Sequence, residues 1–296
     1  MAKCHLIIDS CCDLPASVVR RPGVTLMKFP YTVDGGTFED DLFESVSAEA
    51  FYGAMRKGAE PSTAQVTLQT LTDTFTAAAE EGTLAFSSGL SASFDAACVV
   101  RDQVLAEHPD FELHIVDTHL ASVAEGLLVY EALVQHEKGM STAELAAWAE
   151  EARCFVNEEF MVDDLEALRR GGRISGAAAL VGGMLSIKPV VGVVDGDVVV
   201  LGKARGSKQS KNMVFQKIDE AGGIDFTRPI WVAYSGLSDA TARKYIADSL
   251  AQAKAAEEAA ADESAVPDDL PLTQVGAVIG THVGPGGVAF AFFARE

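Results

Sequence analysis

The apolar positions in the first half of the chain alternate between short runs and longer stretches with a helical repeat. Short apolar runs at 4–9, 83–88 and 112–117 have the length and composition of buried strands. The stretches at 91–108 and 123–137, which follow the second and third runs, have the length of helices. Strands that alternate with helices in this way predict a mainly parallel sheet with helices on its faces.

Capping signals place the ends of several helices. Ser141 and Glu144 have the spacing of a capping box and predict a helix that starts there. Asp13 is expected to cap a helix that begins at Leu14, because a proline at the next position is tolerated in a first turn. A further helix is expected over 47–57.

The second half of the chain has a different pattern. Residues 190–206 form two apolar runs around Asp195-Gly196-Asp197 and predict a β-hairpin. Residues 177–191 are apolar and rich in small side chains but too short to cross a membrane, so a buried helix is expected. Residues 273–293 are expected to form two strands around a glycine turn.

Length and composition extend this outline to domains. The chain has 296 residues, 48% of them hydrophobic and 22% charged, which is typical of a folded globular protein with more than one core. We therefore predict an α/β protein of two domains. Residues 1–158 would form a mainly parallel sheet and carry the candidate binding loops. Residues 159–296 would form an α/β domain with a mixed or antiparallel sheet.

Charge excludes one class of partner. Acidic residues outnumber basic ones by 43 to 23, which gives a net charge of −20. Phosphate backbones repel such a chain, so nucleic-acid binding is not expected. Nine basic residues and only two acids nevertheless lie between Arg169 and Lys217. No apolar run reaches the ~18 residues of a membrane span and no secretory signal is visible, so a cytoplasmic protein is expected.

Cys11 and Cys12 lie side by side directly after the first predicted strand. The five cysteines include no C-x-x-C pair and no second cluster at zinc spacing. Adjacent cysteines rarely bond each other, because a disulfide requires specific Cβ directions. An ordinary turn with reduced thiols is therefore favoured, and a thiol redox protein that uses Cys11 and Cys12 is the alternative.

Hydroxyl groups and one histidine follow several predicted strands. Residues 89–93 resemble a serine-hydrolase elbow without its last glycine, so Ser91 is either a simple helix cap or a donor to an anion. Thr63 lies in a loop before a helix, and His282 lies in a glycine-rich segment. Because open α/β sheets bind ligands beyond the carboxyl ends of their strands, these side chains are expected to converge on one small polar group. An esterase that uses Ser91 and His282 is the competing interpretation.

Several longer motifs occur in order along nearly the whole chain. Asp-Ser-x-x-Asp-Leu-Pro stands at 9–15, and Ser-Ser-Gly-Leu-Ser at 87–91. Thr63-Ala64-Gln65-Val66 departs from a Thr-Ser-Gln-Pro pattern at its second and fourth positions, and the segments 163–190, 203–208 and 280–287 match as well. With these motifs the chain resembles the DegV family of bacterial fatty-acid-binding proteins.

The resemblance implies two α/β domains with one long-chain fatty acid buried in an apolar tunnel. It implies that Thr63, Ser91 and His282 bind the carboxylate, with Arg173, Arg205 and Ser88 in supporting or partner-facing positions. It further implies a fatty acid kinase as partner, to which the bound acid is presented, and neither a catalytic residue nor a metal or cofactor. Cys11 and Cys12 fall at positions that vary within the opening motif.

Overall fold

The computed structural model describes residues 4–78, 82–87, 91–174, 187–260 and 266–295. Within them the chain forms strands that belong to three sheets. The strands are β1 (His5–Asp9), β2 (Val24–Met27), β3 (Pro30–Val33), β4 (Gly36–Glu39), β5 (Ser62–Thr63), β6 (Thr83–Ser87), β7 (Leu113–Asp117), β8 (Val156–Met161), β9 (Ile187–Val194), β10 (Asp197–Arg205), β11 (Trp231–Tyr234), β12 (Leu272–Gln274) and β13 (Val288–Phe293).

Helices connect most of these strands. They are α1 (Ala16–Val19), α2 (Ala48–Arg56), α3 (Leu68–Ala78), α4 (Ala92–Glu107), α5 (Ser122–Glu137), α6 (Thr142–Ala152), α7 (Glu166–Arg170), α8 (Gly206–Glu220), α9 (Ala240–Ala260) and α10 (Ala277–Val283). Ser141 and Glu144 form the predicted capping box at the start of α6.

The first sheet is four-stranded and parallel, with the order β2-β1-β6-β7. Its central strand β1 is almost entirely buried, as the run of apolar residues in its sequence predicts. Helix α4 follows β6 and helix α5 follows β7, so the predicted alternation of strands and helices is confirmed. A small antiparallel sheet, β4-β3-β5, carries Thr63 on its short strand β5.

The second large sheet is six-stranded and mixed, with the order β10-β9-β8-β13-β11-β12. The pair β9 and β10 is the predicted hairpin. At its turn Asp195 and Gly196 both have positive φ, at 50° and 82°, as a two-residue turn between twisted strands requires. Helix α5 packs on β8, β11 and β13, so its buried residues join the two large sheets in one hydrophobic core.

The prediction of two strands around a glycine turn over residues 273–293 is wrong in part. Residues 277–283 form helix α10 between β12 and β13. Two buried carboxylates meet the free N–H groups at the start of this helix. Asp13 accepts a hydrogen bond from the Gly276 N–H at 2.7 Å, and Asp40 accepts one from the Val278 N–H at 2.8 Å. These aspartates are far away in sequence, so a local pattern of seven residues could not show the helix.

The expected cap at Asp13 is also wrong. Asp9 caps a short 3₁₀ turn, Ser10–Cys12, by accepting the N–H of Cys11 at 2.8 Å. Asp13 ends this turn with a φ of 50° and directs its carboxylate to the start of α10, and the next helix begins only at Ala16. The turn that contains both cysteines therefore anchors a distant helix.

Two further expectations meet the limits of the described residues. Most of the segment 177–191, expected to be a buried helix, lies outside them, and its described end, from Ile187, belongs to β9. The boundary expected between residues 158 and 159 falls inside β8. All strands before β8 belong to the four- and three-stranded sheets, and all strands from β8 onward belong to the six-stranded sheet. The division into two domains at this point stays a prediction.

Candidate functional site

A cavity lies among the end of β1, the start of α5, the six-stranded sheet and helix α10. The cavity has a volume of about 190 Å³. On the same measure a single water molecule requires ~15 Å³, so the cavity has room for a much larger ligand. Much of its wall is apolar and includes Phe160, Val162, Leu168, Val193, Val198 and Val288. A mostly apolar wall with a few polar groups is typical of a ligand site.

Thr63 and His282 meet in the wall of this cavity. The Thr63 Oγ1 atom and the His282 Nε2 atom are 3.0 Å apart, a hydrogen bond that joins residues 219 positions apart in sequence. Strand β5 presents Thr63 through its pairing with β3, and α10 presents His282 in its last turn. His282 is buried, with 8% of its surface exposed.

The burial of His282 determines its charge. Desolvation lowers its pKa from the ordinary value of 6.5 to about 4, and the positive charges of Arg173 and Arg170 contribute to the same shift. The imidazole is therefore neutral at neutral pH. Its Nδ1 atom has no hydrogen-bond partner among the described residues and lies against Gly171.

Gly171 allows the imidazole to lie where it does. A Cβ atom added at Gly171 would overlap the His282 ring. The glycine that ends α7 is thus required here by close approach and not by its backbone conformation. The carbonyl of Gly171 also accepts a hydrogen bond from the Arg173 guanidinium at 2.6 Å, which holds that side chain beside the cavity.

Ser91 lies in the same wall and caps helix α4. Its Oγ atom accepts the N–H of Ser93 at 3.2 Å. Capping uses a lone pair, so the hydroxyl hydrogen remains available for an acceptor in the cavity. Capping and ligand binding are therefore compatible at Ser91, although the sequence presented them as alternatives.

The esterase interpretation lacks its central contact. A serine nucleophile needs a base within hydrogen-bond reach. In the structure the described contact of the His282 ring is with Thr63, and none joins it to Ser91. The geometry therefore favours a site that binds an anion over one that activates a serine.

The remaining residues named from the sequence fall in different places. Arg173 lines the cavity. Arg205 is exposed at the junction of β10 and α8 and is not among the described residues of the cavity wall. Ser88 lies outside the described residues. Thr63, Ser91, His282 and Arg173 thus share one cavity, whereas Arg205 belongs to the surface.

The two adjacent thiols are poor candidates for redox chemistry. Cys11 touches the cavity and Cys12 is fully buried against α5, where Gly126 allows the helix to approach the Cys12 carbonyl. Burial raises the pKa of both thiols well above the ordinary value, and the neighbouring carboxyl groups add to this. A reactive cysteine requires the opposite shift.

Buried carboxyl groups are the part of the site that sequence reasoning missed. Asp9, Glu125 and Glu158 line the cavity, and none of them is more than 5% exposed. The signal that could have revealed Glu125 is its position as a single acid in the apolar run of α5. No cluster of His, Cys, Asp and Glu in the described ranges has the arrangement of a metal site.

Comparison with known proteins places the chain in a family. The model of the DegV family, described as uncharacterised proteins, matches residues 3–295. The chain belongs to the DegV family. A DegV domain-containing protein of Clostridium perfringens is 33% identical over 297 residues, which are 99% of this chain and 98% of that protein.

Solved structures of DegV proteins share the fold. A fatty-acid-binding DegV protein from Thermus thermophilus has a TM-score of 0.80 and 26% identity, and the match covers 99% of this chain and 100% of that one. The Fak B3 protein of the Streptococcus pneumoniae fatty acid kinase, loaded with linoleic acid, has a TM-score of 0.80 and 20% identity over 99% of this chain and 100% of its own.

No helix in the described part of the chain is long and apolar enough to cross a bilayer.

Proposed function

We propose that this protein binds one long-chain fatty acid, with the cavity serving as an apolar tunnel for the tail. We further propose that it presents the carboxylate to a fatty acid kinase. The observation that carries the proposal is the convergence of Thr63, Ser91, His282 and Arg173 on a cavity whose wall is otherwise largely apolar. The fatty-acid-binding DegV protein from Thermus thermophilus, which shares the fold along its whole length, supports it.

The apolar wall suits a hydrocarbon tail. Burial of one methylene group contributes about 0.8 kcal/mol, so a tail of roughly fourteen carbons contributes on the order of 10 kcal/mol before the costs of binding. Valines from β9, β10 and β13 and Phe160 from β8 supply such a surface. A polar ligand of similar size would leave its groups without partners along this wall.

The polar group of a fatty acid suits the Thr63 and His282 side of the cavity. A buried carboxylate needs several hydrogen-bond donors, because desolvation without them is costly. The Ser91 hydroxyl hydrogen is available, and the hydrogen bond between Thr63 Oγ1 and His282 Nε2 leaves one further donor hydrogen on that pair. The Arg173 guanidinium adds a positive charge beside them.

Removing one donor at a time tests this assignment. We expect Thr63→Val, Ser91→Ala and His282→Gln each to weaken the affinity for oleate by roughly 1–3 kcal/mol, measured by fluorescence displacement on lipid-free protein. Thr76→Val on the exposed face of α3 is a matched control and should leave the affinity unchanged. Unchanged oleate affinity in all three site variants, with thermal unfolding intact, would contradict the assignment.

The proposal that the acid is presented to a kinase is supported by the similarity to the Fak B3 protein, which is 20% identical to this chain. In the reaction, a carboxylate oxygen forms a bond to the γ-phosphorus of ATP while the bond from that phosphorus to ADP breaks. Arginine stabilises charge of this kind and steers acidic partners. Arg173 lines the cavity, and we assign it to support the carboxylate there. Arg205 is exposed, and we assign it to the contact with the partner.

Arg205→Ala separates binding from presentation. We expect the variant to bind oleate as the wild type does and to slow acyl-phosphate formation by a kinase from the same organism, measured as ADP release. Arg228→Ala is a control, because that arginine stacks on Phe293 and is less exposed than Arg205. Normal phosphorylation of oleate bound to the Arg205 variant would rule out the partner-facing role.

A further inference from the structure

Glu125 is a buried acid in the cavity wall that the proposed carboxylate site does not use. It lies in the first turns of α5, has none of its surface exposed and contributes to the cavity wall. Both of its carboxyl oxygens lack a hydrogen-bond partner among the described residues. A buried polar group without partners is costly and calls for an explanation.

A second acid, Glu158 on β8, is buried in the wall of the same cavity. Glu158 lines the same cavity and is 5% exposed. The backbone of Ala124 hydrogen-bonds to the Glu158 carboxyl group, and Ala124 immediately precedes Glu125 in α5. Both acids therefore lie in the cavity wall near the start of α5, and we call the two together the acidic patch.

The charged groups that act on Glu125 differ from those that act on His282. The charges that act on Glu125 are those of Asp9, Asp13 and Asp117, whereas Arg173 acts on His282. Arg173 is the one cation in the described part of the cavity wall. No basic side chain is thus in place to neutralise the acidic patch as an ion pair.

Burial accordingly keeps these carboxyl groups protonated. Desolvation raises the pKa of Glu125 and of Glu158 well above the ordinary value, and neighbouring acids raise each further. A protonated carboxyl group offers one O–H donor and one carbonyl acceptor. The neighbouring hydroxyl of Ser122 is already engaged, because it donates to Asp13 at 2.6 Å.

We propose that the acidic patch selects a fatty acid whose chain carries a hydroxyl group, with Glu125 as the residue that determines this preference. The inference rests on the proposed function. An alcohol both donates and accepts, so it matches the two free oxygens of Glu125, whereas a methylene group leaves them unsatisfied. A keto group would satisfy only the donor, and an ammonium group would require ionised acids.

Oleate and ricinoleate provide the test, because they differ only by one hydroxyl group in the middle of the chain. We expect the lipid-free wild-type protein to bind ricinoleate about tenfold or more tightly than oleate in a displacement assay. Glu125→Leu should abolish this preference, because it should lower the affinity for ricinoleate and raise the affinity for oleate. Glu125→Gln should retain part of it, because an amide still donates and accepts.

Controls and further ligands make each outcome decisive. Glu131→Gln, on the same helix, should leave both affinities unchanged. Hydroxystearates with the hydroxyl at successive carbons locate the preferred position. Equal or weaker binding of every hydroxylated acid relative to its parent, or a preference for a long-chain amine, would overturn the inference while oleate binding still supports the proposed function. Binding of neither oleate nor any hydroxylated acid would overturn both.

Discussion

Replacing His282 by glutamine is expected to change how the free energy of unfolding depends on pH. Burial holds the His282 pKa at about 4 in the folded protein, against 6.5 when the side chain is free. The folded state therefore binds fewer protons between these values, so stability is lost as the pH falls through them. At about 1.4 kcal/mol for each pKa unit, the loss from about pH 7 to about pH 4.5 is roughly 2 kcal/mol.

Asp40 has the opposite effect over the same range. Its burial raises the pKa from 3.8 to about 6, even though the carboxylate accepts N–H groups from the start of α10. The folded state binds more protons than the unfolded state in this range, so this group adds stability as the pH falls from about 6 toward about 4. The gain from about pH 7 to about pH 4.5 is also roughly 2 kcal/mol.

Urea unfolding of lipid-free protein at these two pH values measures both terms. On going from about pH 7 to about pH 4.5, the free energy of unfolding of His282→Gln should change by about 2 kcal/mol more favourably than that of the wild type. That of Asp40→Asn should change by about 2 kcal/mol less favourably. The double variant should return close to the wild-type difference. Other buried carboxyl groups titrate in all four proteins and cancel. Identical pH dependence in the wild type and both single variants would show that burial does not shift the pKa of His282 and Asp40 in these directions.

Two further predictions follow from local packing. Gly171→Ala should displace the imidazole and weaken oleate binding about tenfold in the displacement assay, whereas Gly53→Ala, whose Cβ meets open space, should not. Oleate affinity equal to that of the wild type would contradict the close approach. Iodoacetamide should alkylate the exposed Cys154 while Cys11 and Cys12 stay protected, as mass mapping would show. Fast modification of the buried pair would contradict the pKa argument.

The parts of the fold that the sequence predicts are those set by local pattern. β1 and the hairpin of β9 and β10 have strand-length apolar runs, and the hairpin has turn residues that accept positive φ. Helix α10 could not be predicted, because seven residues do not define a helical period. Its start depends on Asp13 and Asp40, which lie 263 and 238 residues away.

In the candidate site, too, local sequence predicts some features, whereas others depend on contacts between distant residues. Thr63, Ser91 and His282 were named from motifs, but their arrangement on one cavity depends on a contact across 219 residues. Their role at a carboxylate stays a prediction. Glu125 is the single acid in the apolar run of α5, a pattern that marks it as unusual but does not show whether its carboxyl group faces a cavity or solvent.

Mass spectrometry of the lipid extracted from purified protein tests directly whether the cavity holds a fatty acid. Protein produced in bacteria is expected to carry about one long-chain fatty acid per chain. His282→Gln should lower this occupancy, whereas Thr76→Val should not. The absence of any bound lipid, together with no measurable affinity of the lipid-free protein for palmitate or oleate, would contradict fatty-acid binding.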